Sequence, residues 1–256
     1  MAYIKKDRGD RADHGFETIS TNMTKRLSVA ARGNEFTGKT YFSFTAPEPI
    51  AYFNFDMGHE GVIQKFASKD IKQKKYHNPA GYIQEDVERM ILEANPIWED
   101  FLGSYNWAVD SGKFRTIVID KEQDVYELVR LAKLGTLSND ELFRFQYGKT
   151  NKLMRDLLRR PSFTDNVNLI LLQGVKEKYS KKGKATGEMT GAGFKEVPSI
   201  VQVTLDFDRD GDSRWFTVDK CRTNDELHGE KFEGDFMTFP MLATMAVPGS
   251  EEGDWT

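Results

Sequence analysis

One stretch near the start of the chain constrains the fold more than any other. The sequence LSVAARGNEFTGKT joins an apolar run typical of a β-strand to the pattern G-x-x-x-x-G-K-T, after which a helical pattern begins. Glycines allow a tight turn whose backbone N–H groups point inward at an anion, and the helix that follows directs the positive end of its dipole at the same point. The lysine of such a loop reaches the β- and γ-phosphates of a nucleotide, and the hydroxyl after it binds Mg²⁺. The sequence therefore predicts a phosphate-binding loop with ATP and Mg²⁺ as ligands, formed by Gly33, Asn34, Glu35, Phe36, Thr37, Gly38, Lys39 and Thr40.

Short apolar runs alternate with helical periodicity from Leu27 onward, which indicates an α/β domain with a mostly parallel sheet. The predicted strands are Leu27–Ala31, Ile50–Phe55, Thr116–Ile119, Asn168–Gln173, Ile200–Asp206 and Arg214–Val218. The predicted helices are Gly38–Thr45, Glu85–Ala94, Glu122–Leu134 and Asp140–Arg159. We expect one main domain over residues 27–247, preceded by a flexible lead-in of residues 1–26. Residues 174–198 read as a mobile basic loop and residues 248–256 as an acidic disordered tail, whose Trp255 could contact a recombination partner protein.

Acidic residues follow two of the predicted strands, where an ATP site needs them. The run KFRTIVID ends in Asp120, which we expect to bind Mg²⁺ together with Thr40 from a strand beside the one that leads into the phosphate loop. Hydrolysis also needs a carboxylate to orient the attacking water. Asp56 ends another predicted strand and Glu60 follows closely. Either residue suits this role, and Glu60 is slightly favoured because Asp56 lies nearer the strand.

These residues together resemble the RecA-type P-loop ATPases, in particular the phage-encoded RecA-like proteins of single-strand annealing recombination. The run NLILLQGVKEKY resembles the strand whose terminal glutamine senses the γ-phosphate, which makes Gln173 the matching residue. In GFKEVPSIVQVTLDFDR, Lys195 matches a lysine that reaches a neighbouring subunit's nucleotide. The resemblance implies a RecA-like core flanked by helices, a C-terminal antiparallel hairpin and assembly into a ring or filament. Lys121 departs from the family, which has a small hydroxyl residue after the metal-binding aspartate.

The segment after Gln173 is rich in lysine, although the chain carries a net charge of −4. Binding of nucleic-acid phosphates by such a protein requires a local basic patch. An aromatic side chain within the patch could stack on a base without sequence preference. We therefore expect single-stranded DNA to contact Lys176, Lys178, Tyr179, Lys181, Lys182 and Lys184.

Other features narrow the class of protein. No apolar run is long enough to span a bilayer, the N-terminus lacks the apolar stretch of a secretory signal, and a single cysteine fits a reducing cytoplasm, that of the host if the protein is phage-encoded. The four histidines lie far apart, which argues against zinc. The Asp-rich run that begins at Asp206 lacks the final glutamate of a calcium loop, so Asp210-Gly211 is interpreted as a hairpin turn.

Three other functions use the same loop. A nucleotide or small-molecule kinase would employ the basic segment as a lid over phosphates. A nucleotide-gated DNA-binding module would bind ATP without significant turnover. A helicase or helicase loader would couple ATP to duplex unwinding.

Overall fold

The computed structural model describes residues 24–56, 58–81, 87–135, 147–164, 166–180 and 184–256. The predicted lead-in of residues 1–26 lies almost wholly outside these ranges. The described strands are β1 Ser28–Gly33, β2 Ile50–Asn54, β3 Ile71–Lys75, β4 Thr116–Asp120, β5 Asn168–Gln173, β6 Val175–Tyr179, β7 Ala185–Gly191, β8 Val203–Asp210, β9 Ser213–Cys221 and β10 Lys231–Glu233. The described α-helices are α1 Lys39–Phe44, α2 Val87–Asp110, α3 Glu122–Leu134, α4 Tyr147–Arg159, α5 Val197–Ile200 and α6 Phe239–Ala246.

Eight of these strands form one sheet in the order β10-β9-β8-β1-β5-β4-β2-β3, and β6 pairs with β7 in a separate two-stranded sheet. The strands from β8 to β3 run parallel, whereas β8 to β10 are antiparallel neighbours. This arrangement confirms the predicted α/β class with its C-terminal antiparallel hairpin. The turn of that hairpin consists of Gly211 and Asp212, because Asp210 still pairs with Ser213, and Gly211 has φ 56°.

Alternate residues of the central strands point to opposite faces of the sheet, and each face has its own apolar core. Ile117 and Ile119 pack with the helices α2, α3 and α4, whereas Val118 packs on the other face with α1 and α6. Because the central strands are covered on both sides, they consist almost entirely of buried residues. None of the helices within the described ranges is long and apolar enough to cross a membrane.

The order of the strands corrects one prediction about the site. Asp120 was expected on a strand directly beside β1, but β5 lies between β1 and β4. Strand β5, which follows β4 in the sequence, thus lies next to β1, the strand that leads into the phosphate loop. Its terminal residue, Gln173, is paired in register with Arg32 at the end of β1.

Helix α2 is longer than predicted, because it continues through Pro96 to Asp110. A proline inside a helix costs about 3 kcal/mol. The side chains that follow it, Trp98, Phe101 and Tyr105, are fully buried in the core, and their burial outweighs that cost. Helix α4 begins in the structure at Tyr147, and the earlier part of the predicted helix, residues 140–146, lies outside the described ranges.

The prediction of a disordered tail at residues 248–256 is wrong. Glu252–Trp255 form a 3-10 helix, and the Trp255 side chain is completely buried with its ring 6.1 Å from that of Phe239. Lys25 forms an ion pair of 2.6 Å with Asp254. Burial of one large apolar side chain contributes about 1.5–3 kcal/mol, which favours the ordered form of this segment. Trp255 is therefore a core residue and has no surface to offer a partner protein.

Residues 174–198 also differ from the expected irregular loop, since β6 and β7 form an antiparallel hairpin. The composition hid this hairpin because its strands carry few apolar residues. Its ladder consists of backbone hydrogen bonds, supplemented by a bond of 2.7 Å from Thr186 Oγ1 to the Lys178 carbonyl. We call β6 and β7 the basic hairpin.

Candidate nucleotide-binding site

The phosphate loop connects β1 to α1, and the geometry explains why two of its positions are glycine. A Cβ atom at Gly33 would lie 2.4 Å from the carbonyl oxygen of Phe207, so only glycine permits β8 to pass this close. Gly38 has φ 99°, a left-handed conformation that side chains disfavour. Its Cβ atom would also lie 2.8 Å from the Met237 side chain. Two residues from the C-terminal part of the chain, Phe207 and Met237, thus pack against the loop.

Lys39 folds its side chain back over this loop. Its ammonium group donates hydrogen bonds to the carbonyl oxygens of Gly33 at 2.9 Å and Asn34 at 2.6 Å. Burial lowers the pKa of Lys39, while the carboxylates of Asp120 and Asp56 oppose this shift. The cation therefore lies directly against the backbone of the loop, which suits the role predicted for it. Thr37 is buried and donates a hydrogen bond to the Asn34 carbonyl, which closes the turn.

Asp120 ends β4 and is 5% exposed. Its Oδ2 atom accepts a hydrogen bond of 2.5 Å from the hydroxyl of Tyr52 in the middle of β2. Burial raises the pKa of Asp120 to about 6, although the Tyr52 bond favours the ionised form. Thr40 lies in the first turn of α1. Within the described ranges no group of three or more His, Cys, Asp or Glu residues could hold a metal alone. A single carboxylate and a hydroxyl fit Mg²⁺, because this ion takes few protein ligands and keeps oxygen ligands from water and nucleotide phosphates.

The two candidates for the water-orienting carboxylate occupy different environments. Asp56 lies just beyond β2, where its backbone N–H donates a hydrogen bond of 2.8 Å to Asn54 Oδ1 and its carboxylate lies 3.4 Å from the Lys121 ammonium. Asp56 also influences the pKa values of Lys39 and Asp120, so it belongs to the charged cluster of the loop. Glu60 is exposed in the turn that follows. The geometry favours Asp56.

His59 anchors the turn that follows Asp56. The side chain is 8% exposed and lies between the amides of Asn54, 3.0 Å from Nδ1, and Gln73, 3.2 Å from Nε2. Two amides that hold both ring nitrogens fix the orientation of the imidazole. His59 thus fastens the segment that carries Asp56 to strands β2 and β3.

Gln173, at the end of β5, is 3% exposed and connects the nucleotide edge of the sheet to the basic hairpin. Its amide nitrogen donates hydrogen bonds to Glu122 Oε2 at 2.7 Å and to the Ala192 carbonyl at 3.0 Å. Glu122 also accepts the N–H of Phe194 at 3.3 Å. Gly193 has φ 91°, and a Cβ atom there would lie 2.2 Å from the Glu122 carboxylate. The backbone that follows the hairpin, from Ala192 to Phe194, therefore packs closely around the Glu122 carboxyl group.

Glu122 is fully buried, and burial raises its pKa to about 8. Burial therefore favours the neutral, protonated form of this side chain. Neutral Glu122 and Gln173 form a polar pair that can be broken without exposing a buried charge.

The lysines of the basic hairpin are displayed to solvent. Lys176, Lys178 and Lys184 are exposed, and Lys178 forms an ion pair of 2.6 Å with Glu188 across the hairpin. Lys181, Lys182 and the side chain of Tyr179 lie outside what the structure describes. Lys195 is exposed just beyond Phe194.

Sequence reasoning missed Tyr52, His59, Lys121 and Glu122 as members of this site. Glu122 and Lys121 had one signal, since both follow Asp120 directly in the chain. Tyr52 and His59 gave none, because a tyrosine inside an apolar strand and an isolated histidine are both common core residues.

Comparison with known proteins agrees with this geometry. A family model described as an AAA domain matches residues 25–226. No significantly similar relative was found among curated proteins. Among solved structures, the crystal structure of the RadB recombinase matches with a TM-score of 0.50 and 14% sequence identity, over 81% of this chain and 86% of that chain. At this identity the likeness concerns the fold alone, which is that of a RecA-like core as predicted.

Proposed function

The chain belongs to the AAA domain family of P-loop ATPases, and from this premise we propose that it hydrolyses ATP with Mg²⁺ and couples this reaction to single-stranded DNA in recombination. The observation that carries the proposal is the juxtaposition of two elements at one edge of the sheet. Gln173 pairs in the sheet with Arg32, at the end of the strand that leads into the phosphate loop, and its amide donates a hydrogen bond to the Ala192 carbonyl directly after the basic hairpin.

Each residue of the site has an assigned role. Lys39 and the loop amides bind the phosphates, and Thr40 and Asp120 bind Mg²⁺. Asp56 orients a water molecule, with Glu60 as the alternative. The water oxygen forms a bond to the γ-phosphorus while the bond to the β–γ bridging oxygen breaks. ADP leaves, and a proton from the water passes to the carboxylate or to the phosphate released.

DNA contact is assigned to the basic hairpin. Its described lysines point to solvent and are opposed mainly by Glu177 and Glu188, so the hairpin offers positive charge on a chain that is acidic overall. Gln173 is bonded to the backbone at Ala192, directly after β7. A change at the γ-phosphate that moves Gln173 would therefore move the foot of the hairpin.

The setting of the activity follows from the resemblance to RecA-like proteins. We propose action in phage recombination or strand annealing, with the protein assembled as a ring or filament. In such an assembly the exposed Lys195 would approach the nucleotide of a neighbouring subunit. Mass measurement in solution with ATP and DNA present tests this part, and a monomer at full activity would contradict it.

The central test is steady-state ATP hydrolysis with and without single-stranded DNA. We expect stimulation by DNA in the wild-type protein and its loss in Lys39→Ala. Lys72→Ala, which removes an exposed lysine of β3, is the matched control and should behave as wild type. Turnover that DNA does not change would contradict the coupling. Phosphate transfer to a nucleoside monophosphate would identify a kinase, tight ATP binding without turnover a nucleotide-gated module, and unwinding of a tailed duplex a helicase.

A further inference from the structure

Lys121, the residue after Asp120, has a backbone conformation that lysine seldom adopts. Its φ and ψ are 64° and 71°, in the left-handed region. Among the described residues the only other non-glycine with positive φ is Phe36, which belongs to the phosphate loop. The left-handed conformation costs a residue with a Cβ atom roughly 1–2 kcal/mol, and such strain tends to occur at functional sites. Both strained residues lie at the nucleotide edge of the sheet.

The Lys121 side chain is a cation within a cluster of carboxylates. Its Nζ atom lies 3.4 Å from Asp56 Oδ1. Burial disfavours the charge, but the attraction of Asp56 and Asp124 outweighs burial, and the pKa of Lys121 is raised. The ammonium also lowers the pKa of Lys39, so the two cations are close enough to repel each other. Lys121 directly follows the end of β4 and the phosphate loop follows the end of β1, so the two cations lie at the same end of the parallel sheet.

The ion pair between Lys121 and Asp56 is weak enough for Lys121 to exchange Asp56 for another anion. Its length of 3.4 Å exceeds that of a good charge-assisted hydrogen bond, and both side chains are about one-third exposed. Partly exposed ion pairs contribute only about 0–1 kcal/mol. A terminal phosphate group carries more charge and more acceptor oxygens than one carboxylate, so it competes well for the ammonium.

We propose that Lys121 exchanges its ion pair with Asp56 for the γ-phosphate of bound ATP, and that this exchange releases Asp56 to orient the attacking water. The inference rests on the proposed function. Without nucleotide, Lys121 holds Asp56. With ATP, the cation moves to the group that gains negative charge in the transition state, where fixed positive charge accelerates phosphoryl transfer. ADP lacks the γ-phosphate and leaves the original pair in place.

The first test compares nucleotide affinities, measured by calorimetric titration with Mg²⁺ and either ADP or a slowly hydrolysed ATP analogue. Lys121→Gly removes the cation and suits the left-handed backbone, so the variant should fold. We expect its affinity for the ATP analogue to fall about tenfold and its affinity for ADP to change by less than about twofold. Lys121→Arg keeps a cation and should recover part of the preference. An unchanged preference in Lys121→Gly would overturn the inference.

The second test removes the resting partner instead. Asp56→Asn should bind the ATP analogue about two- to fivefold more tightly, because Lys121 no longer has to leave a carboxylate, while hydrolysis decreases. Equal or weaker analogue binding in this variant would overturn the exchange. The outcomes remain distinguishable from those of the proposed function. If the wild-type protein binds neither nucleotide, or if Lys39→Ala binds both as the wild type does, the proposed function itself fails.

Discussion

The phosphate loop and the basic hairpin lie at the same edge of the sheet but are constructed in opposite ways. The loop is held at several points: Gly33 lies against the backbone of β8, Thr37 is buried, and Arg214 donates a hydrogen bond of 2.9 Å to the Phe36 carbonyl. In the hairpin, by contrast, the described side chains from Lys176 to Met189 are exposed. A segment with few buried contacts opens at low free energy, whereas a packed one does not. The phosphate loop is therefore the more rigid of the two elements, whereas the basic hairpin can change its conformation at low free energy.

The connection between the two elements consists of a few polar groups at the foot of the hairpin. Gln173 and Glu122 bond to each other and to the backbone around Ala192 and Phe194. Two carboxyl groups two residues apart thus serve the two elements separately. Asp120 interacts electrostatically with Lys39 of the phosphate loop, and Glu122 contacts the segment that follows the hairpin.

The largest effect is expected from a substitution in the phosphate loop, the more rigid of the two elements. Lys39→Ala removes the ammonium from the phosphate loop, and loss of one such positioned donor reduces turnover by about 10²–10³-fold. ATP hydrolysis measured at saturating DNA tests this value. If the comparison holds, DNA affinity without nucleotide should remain within about twofold of wild type, because the hairpin does not depend on the loop for its charge. Loss of that affinity would show that the two elements are a single unit.

A second prediction concerns Glu122, which belongs to the connection between the two elements, and the pH dependence of the free energy of unfolding. Since the pKa of Glu122 is raised to about 8 in the folded protein, the folded state binds a proton more tightly than the unfolded state. The stabilisation from protonation is fully present below the ordinary pKa of glutamate, near 4.5, and is lost as pH rises through about 8. Glu122→Gln is neutral at every pH and should be more stable than wild type above pH 8, by on the order of 1–3 kcal/mol.

Urea unfolding of the nucleotide-free and metal-free protein at pH 5, 7 and 9 measures this difference. We expect the advantage of Glu122→Gln to grow with pH and to be smallest at pH 5. Glu252→Gln, at an exposed glutamate, is the matched control and should show no such trend. A constant difference between the Glu122 variant and wild type would mean that Glu122 is ionised throughout.

The third prediction concerns reversal of two charges in the basic hairpin. Lys176→Glu together with Lys178→Glu should weaken single-stranded DNA binding about tenfold or more. The slope of log affinity against log salt concentration should decrease by about 1.4, which corresponds to two lost phosphate contacts. ATP hydrolysis without DNA should not change. The matched control is Lys72→Glu with Lys75→Glu on the exposed edge strand β3, and an equal effect there would indicate binding by overall charge instead of by the hairpin.

The contrast between the two elements also explains what could be predicted from sequence. The phosphate loop, helix α3 and strand β5 were predicted well because local patterns specify them: the glycine spacing, a helical period and a continuous apolar run. The hairpin was missed because its strands carry few apolar residues and therefore show no apolar alternation. The bond from Tyr52 to Asp120 joins residues 68 positions apart, and such pairings arise only when the strands meet in the sheet.

The smallest effect, and the sharpest test of the hairpin's independence, comes from the Lys178–Glu188 pair. The hydrogen bond to Lys178 lowers the pKa of Glu188, so the pair is ionised at neutral pH, and each side chain is exposed. Exposed pairs add little to stability, so Glu188→Gln should not change the thermal midpoint measurably. It should strengthen single-stranded DNA binding about twofold, because a competing negative charge is removed from Lys178. Fluorescence anisotropy with a labelled oligonucleotide can resolve this change, and Glu252→Gln again provides the control. Weaker binding in Glu188→Gln would mean that the ion pair holds the hairpin in its binding shape, in which case the hairpin is as preformed as the phosphate loop.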